Sequence, residues 1–135
     1  MCGLAVIANE RFVSNEYVPH DALKLLVEFL ETLNWHWHVV AERWDNIGRS
    51  TRPMTTQLAA IETNGAARWI SSQYDATFGL QPRGEAKKVM TDATLRRLGW
   101  YKKTKDGHAN DAARHIGFAL LQHFPVEYMQ LIGLV

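Results

Sequence analysis

Apolar positions recur along this chain with two different periods, and the switches between them mark out its elements. Gly3 to Ala8 (GLAVIA) is a short apolar run bounded by Asn9-Glu10, which predicts a strand. Arg11 to Tyr17 alternates, Phe12 and Ser14 against Val13 and Asn15, and reads as its hairpin partner across the tight link Ala8-Asn9-Glu10. Pro19-His20-Asp21 ends that hairpin and opens a helix in which Leu23, Leu26, Val27 and Leu30 share a face, with Asp21 as its N-cap. Trp35 to Glu42 (WHWHVVAE), rich in aromatic and β-branched residues, is the next strand. A polar loop over Asp45 to Pro53 follows. Thr55 to Tyr74 reads as a helix whose apolar side is Leu58, Ile61, Ala66, Trp69 and Ile70. Ala76 to Leu80 is a short strand and Gln81 to Gly84 a turn. Two helical stretches, Glu85 to Met90 and Asp92 to Trp100, break near Thr91. Tyr101 to Gly107 is a basic loop, His108 to Phe124 a long helix, and Pro125 to Val135 an apolar tail.

Helices between successive strands imply crossovers to parallel neighbours, so the order predicts an α/β sheet with an antiparallel hairpin at its start. The 135 residues fit one domain, and 47% apolar content is enough for a core. The single cysteine, Cys2, excludes an internal disulfide and a cysteine zinc site, and fits a reducing, cytoplasmic compartment. No apolar run reaches membrane-spanning length, so no membrane role is expected, and Met1 to Arg11 lacks the basic start of a signal peptide.

Charge changes the picture modestly. The net charge is +1, but residues 1–42 balance to −4 and residues 43–135 to +5. The second half could meet a polyanion, or could simply present a solvated face.

Two constellations could carry chemistry. Glu42 ends the apolar run Val39-Val40-Ala41, at the carboxyl end of a strand where open α/β sheets bind ligands. It also reads as an ordinary strand-end charge. His108 and Asp111, three residues apart on a helix, project to one face, with His115 a turn further on. An imidazole and a carboxylate at this spacing can hold Mg²⁺ or Mn²⁺, while an Asp in a first turn can equally complement the helix dipole. Together the three suggest metal-assisted phosphodiester hydrolysis, although two metals normally need about four ligands. Around them lie Arg83, Lys87, Lys88, Arg96, Arg97, Lys102, Lys103 and Lys105, with Trp100 and Tyr101 interleaved, and Arg43, Trp44, Arg49 and Arg52 after Glu42. These are candidates for phosphate contact and base stacking, or for a solvated face and core packing. His36 and His38 share a strand face without a third ligand in sequence, and read as structural.

These residues resemble the RuvC-like Holliday junction resolvases, in particular the small versions carried by phages of actinobacteria. The resemblance spans nearly the whole chain. It is carried by Gly3-Leu4-Ala5-Val6 with Arg11 to Ser14, by Val39 to Arg43, by Ile61-Glu62 through Gly65-Ala66 and Trp69, by Glu85 to Lys88, by Leu95 to Trp100, and most specifically by His108-Ala109-Asn110-Asp111-Ala112-Ala113-Arg114-His115. It implies an RNase H-like mixed sheet flanked by helices, a homodimer, and Mg²⁺- or Mn²⁺-dependent cutting of four-way junctions and other branched DNA. Glu42 matches the family's catalytic Glu, Asp111 its final catalytic Asp, and His108 the position one turn earlier. Lys87 or Lys88 matches a basic position near the scissile phosphate. The family's sheet also has an Asp-bearing strand ahead of the stretch at which this chain starts, Met1-Cys2-Gly3-Leu4. Its absence here leaves three consequences open: a start further upstream, a substitute such as Asp45, or a protein that binds junctions without cutting them.

Overall fold

The computed structural model describes residues 1–8, 11–32, 35–44 and 51–133. Strands β1 (Cys2–Ala8) and β2 (Arg11–Tyr17) pair antiparallel, with Gly3 opposite Glu16 and Ile7 opposite Phe12. Helix α1 (Pro19–Glu31) follows. Strand β3 (His38–Glu42) pairs in parallel with β4 (Thr77–Gln81), and helix α2 (Met54–Gln73) makes the crossover. The C-terminal half is helical: α3 (Arg83–Val89), α4 (Asp92–Leu98), α5 (His108–His123) and α6 (Pro125–Leu131).

Several boundaries differ from the sequence reading for identifiable reasons. Val18, not Asp21, caps α1, because Pro19 carries the fixed φ and missing N–H suited to a first helical position. Asp21 lies in the first turn, where its charge favours the helix dipole. Pro82 is the N-cap of α3, and Arg83 and Gly84, expected in a turn, lie in the helix. Thr91 breaks α3 from α4 as anticipated, its hydroxyl accepting from the Thr94 amide at 3.3 Å. Gly99, at φ 76°, ends α4 in the left-handed region that glycine tolerates. The apolar tail forms α6, with Tyr128 buried against Met90. The link Asn9-Glu10 lies outside the described residues, as do Asp45, Arg49 and Leu134.

The larger correction concerns the sheet. The strands form two separate two-stranded sheets, β1–β2 and β3–β4, not one. Helix α5 packs against β1, β2 and β3 and joins the two pairs. Alternation decides which residues face it. On the hairpin, Gly3, Ser14 and Glu16 lie on the α5 side, while Val6 and Val13 line an open apolar groove with Phe29 of α1. On the parallel pair, Glu42 and Gln81 face α5, while Phe78 meets Arg68 of α2.

The core forms where α5 meets the short helices: Met90, Leu95, Trp100, Ala113 and Tyr128, with Ile7 and Phe12 packed against it. Trp100 stacks on Phe12 at 4.3 Å between ring centroids, so this indole is core and is not presented to nucleic acid. The side of α2 expected to be apolar faces outward in part, with Ala66 and Ile70 half-buried. Gln57, Ala67 and Ser71 are its buried residues, whereas Leu58, Ile61 and Trp69 are exposed. Small side chains on the inner face let α2 lie close to its neighbours, and the Ser71 hydroxyl is satisfied by the Ala67 carbonyl at 2.7 Å.

Candidate functional site

The motif His108 to His115 divides into separate tasks once α5 is in place. The hairpin holds its first turn. Gly3 sits so close beneath it that a Cβ there would lie 1.9 Å from the His108 carbonyl oxygen. Glu16, opposite Gly3 on β2, supplies the cap that Gly107 cannot. Its Oε2 accepts from the His108 amide at 2.7 Å, the Ala109 amide at 3.2 Å and the Thr104 hydroxyl at 3.1 Å. Partial burial pushes the Glu16 carboxyl up, but these donors outweigh it and hold it below the ordinary carboxylate value. Asn110 ties down the basic loop by accepting from the Lys102 amide at 2.9 Å and donating to its carbonyl at 2.8 Å. Arg114 donates to Asp111 at 2.9 Å, to the Met90 carbonyl at 3.0 Å and to Asp92, fastening α5 to the α3–α4 junction.

His115 is the residue that reaches the sheet. Its Nε2 lies 3.0 Å from Glu42 Oε2 at the end of β3, and its Nδ1 lies 2.8 Å from Gln81 Oε1 at the end of β4. A carboxylate only accepts, so Nε2 carries a proton. If Nδ1 also donates to the Gln81 oxygen, the ring is an imidazolium. If the Gln81 amide turns its NH₂ toward the ring, a neutral imidazole satisfies both contacts. Around Glu42, Arg83 Nε stands 3.9 Å from Oε1, and Asn64 donates to the Glu42 carbonyl at 2.7 Å. Burial of the Glu42 carboxyl raises its pKa. The His115 hydrogen bond and charge, with Arg83 and Lys87, overcome that and bring it below the usual value. The carboxylate is thus anionic, half-buried and fixed at the carboxyl end of the parallel pair.

The sequence-predicted ligands are distributed differently from the expectation. Glu42 is held by His115, Asp111 by Arg114, and His108 stands over the hairpin beside Glu16. Asp111 lies one turn, about 6 Å along the helix, from His115. Among the described residues no three His, Cys, Asp or Glu side chains are gathered to hold a metal ion. The donor chemistry, carboxylates with an imidazole, suits Mg²⁺ or Mn²⁺, but the number of donors falls short.

The basic candidates also divide. Lys87, Lys88 and Lys103 are exposed. Arg43 is exposed beside Glu42, and Arg52 lies over the Trp44 ring at 5.5 Å. Arg96 covers the Tyr101 ring at 4.1 Å, Arg97 donates to the Ile132 carbonyl at 3.2 Å, and Lys102 donates to the Ser14 carbonyl at 2.9 Å. All eight are exposed, and the last three also brace the fold.

Sequence reasoning passed over His115 as a partner for Glu42 and Gln81 as its support. The helical spacing of His115 from Asp111 was visible, but nothing in the sequence paired it with a strand 73 residues away. His36 and His38 are neighbours, ring centroids 4.8 Å apart, with His38 Nδ1 sharing a 2.6 Å hydrogen bond with the Thr77 hydroxyl. Burial, His36 and His123 all lower the His38 pKa. No helix among the described residues is long and apolar enough to cross a membrane. No protein-family description, curated protein or solved structure matches this chain.

Proposed function

We propose that this chain is a RuvC-like, RNase H-fold endonuclease subunit that cuts Holliday junctions and other branched DNA with Mg²⁺ or Mn²⁺. The observation that carries the reading is the contact between His115 and Glu42. It seats α5 against the carboxyl end of β3 and β4, and Asp111, one turn earlier on the same helix, is the second carboxylate that the resemblance assigns to catalysis. The split sheet supports the fold. The two pairs share α5, and each has an edge that lacks a strand partner among the described residues. One further strand between β1 and β3 would join them into a mixed sheet, and the resemblance has an Asp-bearing strand there.

Glu42, Asp111 and His108 would contribute to holding the cation, which supplies water activation and charge neutralisation at the scissile phosphate. This chain's own residues orient and bind. His115 fixes the Glu42 rotamer, Arg83 and Lys87 keep its charge, and exposed Lys87 and Lys88 suit contact with the DNA backbone. Arg43, Arg52 and Lys103 extend the basic surface.

A second reading, a junction-binding protein without hydrolysis, is favoured by two observations. Asp111 is already ion-paired with Arg114, and no three-donor group is gathered among the described residues. Labelled four-way junctions incubated with the purified protein, with and without Mg²⁺ or Mn²⁺, separate the two. Metal-dependent nicks are expected. Glu42→Gln and Asp111→Asn should lower cleavage by more than ~100-fold, the upper end for losing an outer-sphere partner, while leaving the gel shift intact. A shift without nicks establishes the binding reading. Cleavage retained in either variant removes the site assignment, and neither shift nor nicks leaves only an interaction domain.

A further inference from the structure

Helix α5 packs along β3, and the lengths of the two elements match. His115 meets Glu42 at the end of the strand, 3.0 Å away. His123, the last residue of α5, lies eight positions further, about 12 Å along the helix axis. His38, the first residue of β3, lies four positions before Glu42, about 13 Å back along the strand. The far end of the helix therefore arrives beside the start of the strand. Ring contacts agree: Phe124, next to His123, meets the His38 ring edge-on at 5.1 Å. The charge of His123 also reaches His38 and, with burial and the charge of His36, lowers its pKa. Three histidines thus collect at the end of β3 opposite Glu42.

The chemistry of this cluster differs from that of the Glu42 site. The charges acting on His38 come from imidazoles, with no carboxylate among them. His38 is therefore neutral near pH 7, which is the form that binds a metal. The Thr77 hydroxyl, on β4, shares a 2.6 Å hydrogen bond with His38 Nδ1. When Nδ1 donates to it, Nε2 carries the free lone pair and the ring is held in orientation, as outer partners hold metal-binding histidines. The exposed His36 ring stands 4.8 Å from the His38 ring between centroids. Two imidazoles bound to one tetrahedral Zn²⁺, at Zn–N distances of about 2.0–2.1 Å, stand about 5 Å apart by the same measure.

We propose that His36 and His38 form a chelating pair for Zn²⁺, with His123 as the third ligand, clamping the end of α5 to the start of β3. His123 completes the set by turning toward the pair. Among the described residues no three such donors already stand in coordinating positions, and His123 is an exposed side chain at a helix end. Water fills the fourth position. Nitrogen donors select Zn²⁺ over Mg²⁺, which takes oxygen ligands, so this site differs from the proposed cleavage site in the ion it takes. With the metal bound, α5 is held at both ends of β3, which steadies His115 on Glu42.

The inference does not rest on the nuclease reading, since binding is measured without DNA and the variants leave Glu42, His108 and Asp111 untouched. Calorimetric titration of the full chain with ZnCl₂ at pH 7 should show binding that excess MgCl₂ in the buffer does not block. Even a partner that only orients a ligand is worth about 10–100-fold in affinity, so His36→Gln and His38→Gln should each weaken binding at least ~10-fold. Thr77→Val and His123→Gln should weaken it less, and all four should leave the circular dichroism spectrum unchanged. In the wild type, the ring-proton signals of His36, His38 and His123 should move with Zn²⁺ before those of His20 and His108. No Zn²⁺ binding in the presence of Mg²⁺ overturns the proposal. So does binding that His36→Gln and His38→Gln leave intact, or a titration in which His20 or His108 moves first. A His123→Gln variant that binds as tightly as wild type overturns the clamp on α5.

Discussion

Two glutamates reach α5 from the two sheets, and they are held in different ways. Glu16, from β2, meets backbone amides and a threonine hydroxyl at the first turn. Glu42, from β3, meets an imidazole seven residues further along, with Arg83 and Lys87 beside it. Both carboxyls are held below their ordinary pKa against the cost of burial. Glu16's hydrogen-bond donors keep their protons across the physiological range, so its role is architectural: it satisfies orphan amides and fixes where the helix begins. Glu42's partners are side chains from other elements, one from α5 and two from α3, so its hold depends on tertiary packing and not on a helix's own backbone. A depressed carboxylate pKa is therefore not by itself a sign of a functional site, and the chemistry of the partner decides which it is.

The sharpest way to break the architectural side is at Gly3, opposite Glu16 in the hairpin. Alanine there would drive a Cβ into the His108 carbonyl, and because that obstacle is backbone, α5 must lift from β1. A loss of about 3 kcal/mol or more is expected, the upper range for overpacking, read as a lower midpoint in urea. Gly84→Ala is the control. Its Cβ meets nothing within 4 Å and it lies in α3, so a gain of about 0.5–1 kcal/mol is expected. Equal effects at the two glycines would refute the close docking of α5 on β1.

Next in size is the cap itself. Glu16→Ala should cost about 1–2 kcal/mol, the range for losing an N-cap acceptor, and Glu16→Gln less, since it keeps an oxygen but not the charge. The pH dependence follows from the direction of the shift. The folded protein holds the Glu16 proton less tightly than the unfolded chain. Its contribution is therefore fully present above the unfolded value of about 4.3 and is lost as pH falls through the lower folded value. Wild type and Glu16→Gln should differ most at neutral pH and converge in acid. Protonation of His38 also opposes folding, but from about pH 6.5 downward and equally in both proteins, so it cancels in the comparison. A gap that widens in acid would reverse the assignment.

Much of this arrangement was written locally in the chain. The hairpin, the α2 crossover, the break at Thr91 and the α5 helix all follow from periodicity, prolines and caps. What could not be read locally is pairing at a distance. Glu16 looked like a hairpin residue because its partners lie 88 to 93 positions away. Asn110 gave no sign that it would brace Lys102, and Trp100 could as well have stacked on bases as on Phe12. The outward turn of α2 was not legible because apolar periodicity reveals that a face is sticky, not what covers it. Small residues such as Ala67 and Ser71 can form the buried side instead. The single α/β sheet was inferred from element order alone, which fixes the parallel β3–β4 pair but cannot join it to the hairpin.

The smallest expected effect tests the other half of the comparison, the rank of Glu42's partners. His115 touches the carboxylate directly and is nearly enclosed. Arg83 stands 3.9 Å away with its side chain 44% exposed, where water and salt screen it. Both should lower the Glu42 pKa, so removing either should raise it, with His115→Gln giving the larger rise and Arg83→Gln the smaller. Carboxyl ¹³C shifts followed through a pH titration report this directly. The Arg83 effect should shrink further in 1 M salt, where the screening length is about 3 Å, while the His115 effect should persist. In stability Arg83→Gln should cost no more than about 0.5 kcal/mol. If Arg83→Gln moved Glu42 more than His115→Gln did, the carboxylate would belong to the basic surface and not to α5.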